Sequence, residues 1–153
     1  MPDWRPYRSA LRSAFSYHEP RPLNLQAMQE ACVYFLGEHD FASFMAAGSD
    51  QVSTTRTLYS LKVMEVSPGL IRITVHGNAF LYNMVRIIAG TLAYVGLGKL
   101  KAAAMPEVIS SLDRKQAGIT LEPQGLFLDT VYYPEKYDLA CYNKSSLSMD
   151  LMF

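Results

Sequence analysis

The sequence is poor in cysteine, in unbalanced charge and in long apolar runs, and each shortage closes off a class of protein. Cys32 and Cys141 are its two cysteines in 153 residues. They stand far apart and outside any CxxC pair, so neither a disulfide framework nor a zinc site is indicated, and a reducing cytoplasm is the expected compartment. The 14 Lys and Arg match the 14 Asp and Glu, for a net charge of zero. A dedicated nucleic-acid binder usually carries a basic excess, so neutrality counts against that class unless the positive charge gathers on one face. No charged segment followed by an apolar run opens the chain, so no signal peptide is expected. The apolar stretch around residues 84 to 97 is interrupted by Arg86 and Gly90 and falls short of the roughly 20 residues that span a bilayer, so no membrane partner is expected. His18, His39 and His76 lack ligand spacing. GLGK runs into Leu100 where a phosphate-binding loop needs Ser or Thr, and no Gly-x-Ser-x-Gly elbow occurs. Neither a metal nor a cofactor site is indicated.

What is present reads as one folded domain. Half of the chain is hydrophobic and 18% is charged, a globular balance that argues against disorder, and the length suffices for one core. Residues 1–23, rich in Pro and Arg, read as a basic extended arm in which Arg5, Arg8 and Arg12 face only Asp3. An Arg, Tyr and Trp mixture suits phosphate contact and base stacking, and equally a solvated terminus. Asn24 is a plausible N-cap. Leu25, Met28, Ala31, Cys32, Phe35 and Leu36 then recur at helical spacing, with Gly37 as the stop. AAGSDQVSTT, residues 46–55, reads as an exposed loop. TLYSLKVMEV and LIRITVHG flank the turn signal SPG and predict a hairpin with one buried face, Ile71, Ile73 and Val75 on one side and Arg72, Thr74 and His76 on the other.

A helix from Phe80 to Leu92 is expected next, ended by GLGK. PEVISSLDRK begins with a first-turn proline and predicts a short helix. LFLDTVYY alternates Leu126, Leu128 and Thr130 against Phe127, Asp129 and Val131 and predicts a final strand ending before Pro134. The fold class is α+β, a largely antiparallel sheet with helices packed on one face. The domain runs from 24 to 138, and residues 139–153 read as a peripheral tail.

Arg86 stands near the middle of the most apolar helix. A guanidinium cannot shed its proton, so a buried one requires an anion, and leaving it unpaired costs several kcal/mol. The anion is a carboxylate of this chain, with Asp40 and Asp129 as candidates, a carboxylate of another chain, or a phosphate.

GEHDFASF at 37–44, RT at 56–57, GNAFLYNMVRIIAGTL at 77–92 and AGITLEPQGLFL at 117–128 resemble, in this order and at similar spacing, the C-terminal half of bacterial tRNA pseudouridine synthase A. The resemblance runs from about residue 5 to residue 138 and rests on several separated blocks. It implies isomerisation of uridine to pseudouridine in the anticodon arm of tRNA, by a homodimer without metal or organic cofactor. It also implies that Arg86 pairs with a catalytic aspartate, and that Asn78, Phe80, Met84 and Leu126 line the substrate pocket. Arg5, Arg8, Arg12 and Arg56 become candidates for RNA phosphate contact. The family's aspartate lies in an N-terminal half, within a motif resembling Arg-Thr-Asp-Ala-Gly-Val-His, and nothing of that kind occurs here. Arg56 and Thr57 run on into Leu58 and Tyr59. The family's active-site tyrosine precedes the region that Met1 begins, and its role is not assigned to Tyr7. The resemblance therefore makes the N-terminal half of a synthase a partner, an exposed apolar docking surface an expectation, and the chain alone inactive. The alternative is a catalytically silent RNA-binding or dimerisation module with the same fold.

Overall fold

The computed structural model describes residues 10–132 and 146–152, so Arg5, Arg8, Tyr7 and Cys141 lie outside the described residues. Asn24 caps helix α1, Leu25–Cys32, its side chain accepting from the Ala27 amide at 3.0 Å. One tight turn, Val33–Phe35, carries the chain on. Met28, Ala31, Cys32 and Phe35 of the expected apolar face are buried, whereas Leu36 is exposed. Gly37 takes φ +90°, a value that favours glycine, and there the helical turn gives way to strand β1, Gly37–Asp40. Sequence periodicity does not anticipate this strand, because its four residues are half or fully exposed and show no alternation.

The hairpin forms as expected, from β2, Thr55–Ser67, and β3, Leu70–Gly77. Leu58, Leu61, Val63, Ile73 and Val75 are buried on one face of the sheet. Helix α2, Met84–Gly96, and the short helix α3, Met105–Ser110, follow. Strand β4 is Leu126–Tyr132, and a fifth strand, β5, is Ser146–Met152. The order across the sheet is β1-β2-β3-β5-β4, and every pair is antiparallel. Among the described residues, a five-stranded antiparallel sheet with three helices confirms the α+β class.

Three expectations are corrected. Residues 146–152, read as part of a peripheral tail, form β5 inside the sheet, with Leu151 fully buried opposite Ile73 and Leu126. The simple alternation along 126–133 fails at a bulge between Leu128 and Thr130. The extra residue puts Thr130 opposite Ser148 and Val131 opposite Leu147, so Val131 joins the face of Leu126 and Leu128. Helix α2 begins at Met84, not Phe80, because Asn83 has φ 58° and ψ 12°. A left-handed residue cannot continue a right-handed helix, and Asn tolerates that conformation better than most side chains.

Helix α2 is buried on nearly all sides, which its composition foretells. One flank meets the chain of residues 117–121, which crosses it at very short range. A methyl group at Gly90 would sit 1.9 Å from the Ile119 carbonyl oxygen, and one at Gly118 would sit 2.6 Å from the Gly90 backbone. The Gly118 amide donates to Thr91 Oγ1 at 2.9 Å, and that hydroxyl donates to the Ile87 carbonyl at 2.7 Å. Arg114 holds the crossing segment from outside, through Gly118 O at 2.7 Å and Thr120 Oγ1 at 3.0 Å. The opposite face of the sheet is open, with Tyr59, Met64, Val66, Phe127 and Tyr132 exposed. On it, the His76 ring lies between Tyr59 and Tyr132 at 5.1 and 5.4 Å.

Candidate active site

The start of α2 is where backbone geometry places a charge beside a cavity. Asn83 precedes the helix without capping it, since its left-handed conformation turns the side chain to another use. Its Oδ1 accepts from Arg86 Nη1 at 2.9 Å. Arg86 Nε donates to the Leu121 carbonyl at 2.5 Å, and the Leu121 amide returns a bond to the Arg86 carbonyl at 3.3 Å. The crossing segment that locks onto Gly90 therefore also fixes the guanidinium. Both acceptors, one a side-chain amide oxygen and the other a main-chain carbonyl, are neutral, and Nη2 makes no hydrogen bond to a described residue.

The two carboxylates considered as internal partners are engaged elsewhere. Asp40 accepts from the Ala42 amide at 3.0 Å and from Thr54 Oγ1 at 2.5 Å, and Asp129 accepts from Thr130 Oγ1 at 3.1 Å. Among the described residues the ion pair found is Arg21 with Glu19, at 2.7 Å. Arg86 is half-buried rather than sealed in. Two neutral acceptors and partial exposure lower the desolvation cost that full burial would impose, so the cation is held in place without a counter-ion among the described residues.

A cavity of about 510 Å³ opens beside it, walled by Phe80, Leu81, Tyr82, Asn83, Met84, Val85, Arg86 and Leu126, with Gly48, Ser49 and Gln51 from the loop and Leu147 and Met149 from β5. Four of the predicted site residues, Phe80, Met84, Arg86 and Leu126, thus come together. Asn78 stays outside and exposed, where its Oδ1 accepts from the amides of Thr57 at 2.9 Å and Ala79 at 2.8 Å. It shapes the turn that delivers Phe80 to the cavity. Arg56 also stays outside. Its Nη1 donates to the carbonyls of Ser53 at 2.9 Å and Thr55 at 2.7 Å, and its Nη2 to the side chain of Gln51. Arg56 thereby ties down the loop from which Gln51 reaches the cavity. Arg12 is exposed, in a turn.

Asn83, the Leu121 carbonyl, Gln51, Leu147 and Met149 escape sequence reasoning. An Asn directly before an apolar helix, three residues ahead of a lone Arg, is the one signal that points to any of them. The volume falls within the usual range of small-molecule sites, and the lining combines apolar and aromatic side chains with few polar groups. Among the described residues no group of His, Cys, Asp and Glu is arranged to hold a metal ion, and no helix is long and apolar enough to cross a membrane.

Comparison with known proteins gives one consistent result. Residues 31–134 match the family described as tRNA pseudouridine synthase. The chain is 49% identical over 128 residues to tRNA pseudouridine synthase A of Ruminiclostridium cellulolyticum, covering 84% of this chain and 52% of that protein. It is 47% identical over 126 residues to the protein of that name in Caldicellulosiruptor bescii, covering 82% and 51%. With the one in Geotalea uraniireducens it shares 48% over 126 residues, covering 82% and 51%. The chain spans about half the length of the curated relatives it matches.

Proposed function

Because the chain belongs to the tRNA pseudouridine synthase family, we propose that it is the C-terminal half of an isomerase that converts uridine to pseudouridine in the anticodon arm of tRNA. In this reading it works in the cytoplasm as part of a homodimer, needs neither metal nor organic cofactor, and depends on a catalytic aspartate from an N-terminal half. The observation that carries the reading is Arg86, a fixed cation at the wall of a cavity roomy enough for an extruded nucleotide, held by neutral acceptors and without a carboxylate partner among the described residues.

The chemistry follows from the bonds exchanged. The bond from N1 of the base to C1′ of the ribose breaks, a bond from C5 to C1′ forms, the hydrogen on C5 leaves and N1 gains one. Atoms and oxidation state are conserved overall, so no co-reactant is required. An aspartate acting as nucleophile or base must be ionised. A neighbouring guanidinium favours that form and, through its planar fork, fixes the direction of the carboxylate. The target base lies within a folded RNA arm and has to be extruded to reach the cavity. Phe80 and Tyr82 offer ring surfaces to it, and Met84 and Leu126 complete an apolar floor. Arg12, with Arg5 and Arg8, supplies phosphate contacts whose strength falls with salt. Arg56 is assigned the same role, although its guanidinium also anchors the loop.

The test is to restore the other half. The N-terminal half of the R. cellulolyticum enzyme, fused ahead of this chain, is expected to release tritium from tRNA labelled at C5 of uridine, whereas the chain alone releases none. Tritium release by the chain alone refutes dependence on a second half. Binding of tRNA by a folded fusion that never releases tritium favours the silent module.

A further inference from the structure

Strand β4 lies inside the segment that matches the family, residues 31–134, yet its neighbour in the sheet is β5, which lies outside it. β3 depends on β5 in the same way, having β2 on its other side. Take β5 away and two strand edges face each other across the width of one strand. Both β3 and β4 run antiparallel to β5, so they run parallel to one another. Closing directly would create a parallel pair in a sheet whose pairs are otherwise all antiparallel. The slot is built for an intervening strand, and open edges of this kind are templates for pairing with another segment of chain.

β5 meets the demands of the slot by simple alternation. Leu147, Met149 and Leu151 stand opposite Gly77, Val75 and Ile73, while Ser148 and Asp150 stand opposite His76 and Thr74. Thr74 Oγ1 donates to Asp150 Oδ1 at 2.6 Å. The same strand puts Leu147 and Met149 into the wall of the Arg86 cavity. One segment from beyond the family match therefore fills the sheet and turns an apolar wall toward the cation.

We propose that β5 is a placeholder: in the complete synthase, the slot between β3 and β4 receives an extended segment of the half that this chain does not span. β5 is then displaced, and Leu147 and Met149 leave the cavity wall. This rests on the functional reading above. Recognition is by strand addition, in which main-chain hydrogen bonds to two edges give affinity and alternate apolar side chains reach Ile73, Val75 and Leu126. The inward residues of the entering strand take the places of Leu147 and Met149 beside Arg86. With β5 in place the cavity is walled and holds no counter-ion from the described residues, so the same displacement that joins the halves also opens the site.

The experiment uses the fusion described above with Thr74→benzoylphenylalanine, a photo-crosslinking side chain on β3, and maps the crosslinked peptides by mass spectrometry. Capture of the N-terminal half is the expected result. Capture of β5 overturns the proposal, as does capture of β4, which would mean direct closure. Hydrogen exchange on the unsubstituted fusion gives an independent reading. The amides of 146–152 are expected to lose protection by about tenfold or more relative to the chain alone, while those of β3 and β4 keep theirs. Unchanged protection of 146–152 overturns the proposal. Tritium release, measured in parallel, separates the two ideas. An active fusion that retains a protected β5 sinks the placeholder and spares the synthase. An inactive fusion whose β3 captures the N-terminal half supports strand exchange and sinks the catalytic reading.

Discussion

Replacing Gly90 by alanine sets two effects of opposite sign against each other. In a helix interior, alanine is favoured over glycine by about 1 kcal/mol, and Gly90 lies well within α2. Against this, the new methyl group would stand 1.9 Å from the Ile119 carbonyl oxygen and 2.9 Å from its carbon. Ordinary contact begins at 3.4 Å, so the crossing segment has to retreat by 3.4 − 1.9 = 1.5 Å. It is pinned by Arg114 at Gly118 and Thr120, and by Thr91 at the Gly118 amide. Overpacking a fixed core costs about 1–3 kcal/mol, and more when backbone must move. The upper end applies here, leaving a net loss of about 2 kcal/mol. In a chain of this length that lowers Tm by about 4–8 °C. Leu121 lies two residues beyond Ile119, so a shift of this size also stretches the 2.5 Å bond from Arg86. Thermal unfolding by circular dichroism reads the first effect, and tritium release by the fusion reads the second. An unchanged or higher Tm would show that helix propensity wins and that the crossing is soft.

Other expectations can be checked alongside. Asn83→Ala keeps a side chain at a left-handed position while removing the acceptor for Arg86, and should cost about 1–2 kcal/mol. Asn83→Gly relieves the backbone and should cost less, so equal Tm losses would argue that only the hydrogen bond matters. Arg86→Lys in the fusion keeps the charge without the fork geometry and should cut the rate by about 100-fold or more. A wild-type rate would show that Arg86 contributes charge alone. The Cys32 thiol is pushed up to about 12 by burial, so it stays protonated in the folded chain while an unfolded chain ionises near its ordinary value. Stability is therefore fully present below about pH 9 and declines as pH rises from there toward 12. Urea midpoints measured across that range should fall, and a flat profile would refute the assignment.

The elements governed by neighbouring residues were the legible ones. Asn24 reveals its cap, and the hairpin reveals itself by period-two alternation around SPG, because both depend on residues close in sequence. The start of α2 was misplaced because a run of apolar residues does not announce that Asn83 will turn left-handed. β1 shows no alternation of its own, whereas β5 does alternate, Leu147, Met149 and Leu151 against Ser148 and Asp150, and only its place inside the sheet, set by distant pairing, is invisible locally. Asp129 breaks the alternation of β4 through a bulge that no local signal marks. At the site, a lone cation in an apolar helix was a visible anomaly, and three of the four residues grouped with it by family resemblance, Phe80, Met84 and Leu126, do share its cavity. The atoms that hold the cation were invisible, since one is a main-chain oxygen and any residue at position 121 would supply it.

That last point bears on how the site tolerates mutation. An acceptor that belongs to the backbone cannot be deleted by a codon change at 121, so selection has no direct handle on it there. The handle lies upstream, at Gly90 and Gly118, where each supplies clearance to the other's chain and neither compensates for a change in its neighbour. Drift should therefore run freely through the choice of side chain at 121 as far as the grip on Arg86 is concerned. It should stall at two glycines that line no part of the cavity, and a damaging substitution at either would look, on a map of that cavity, like a lesion in the wrong place.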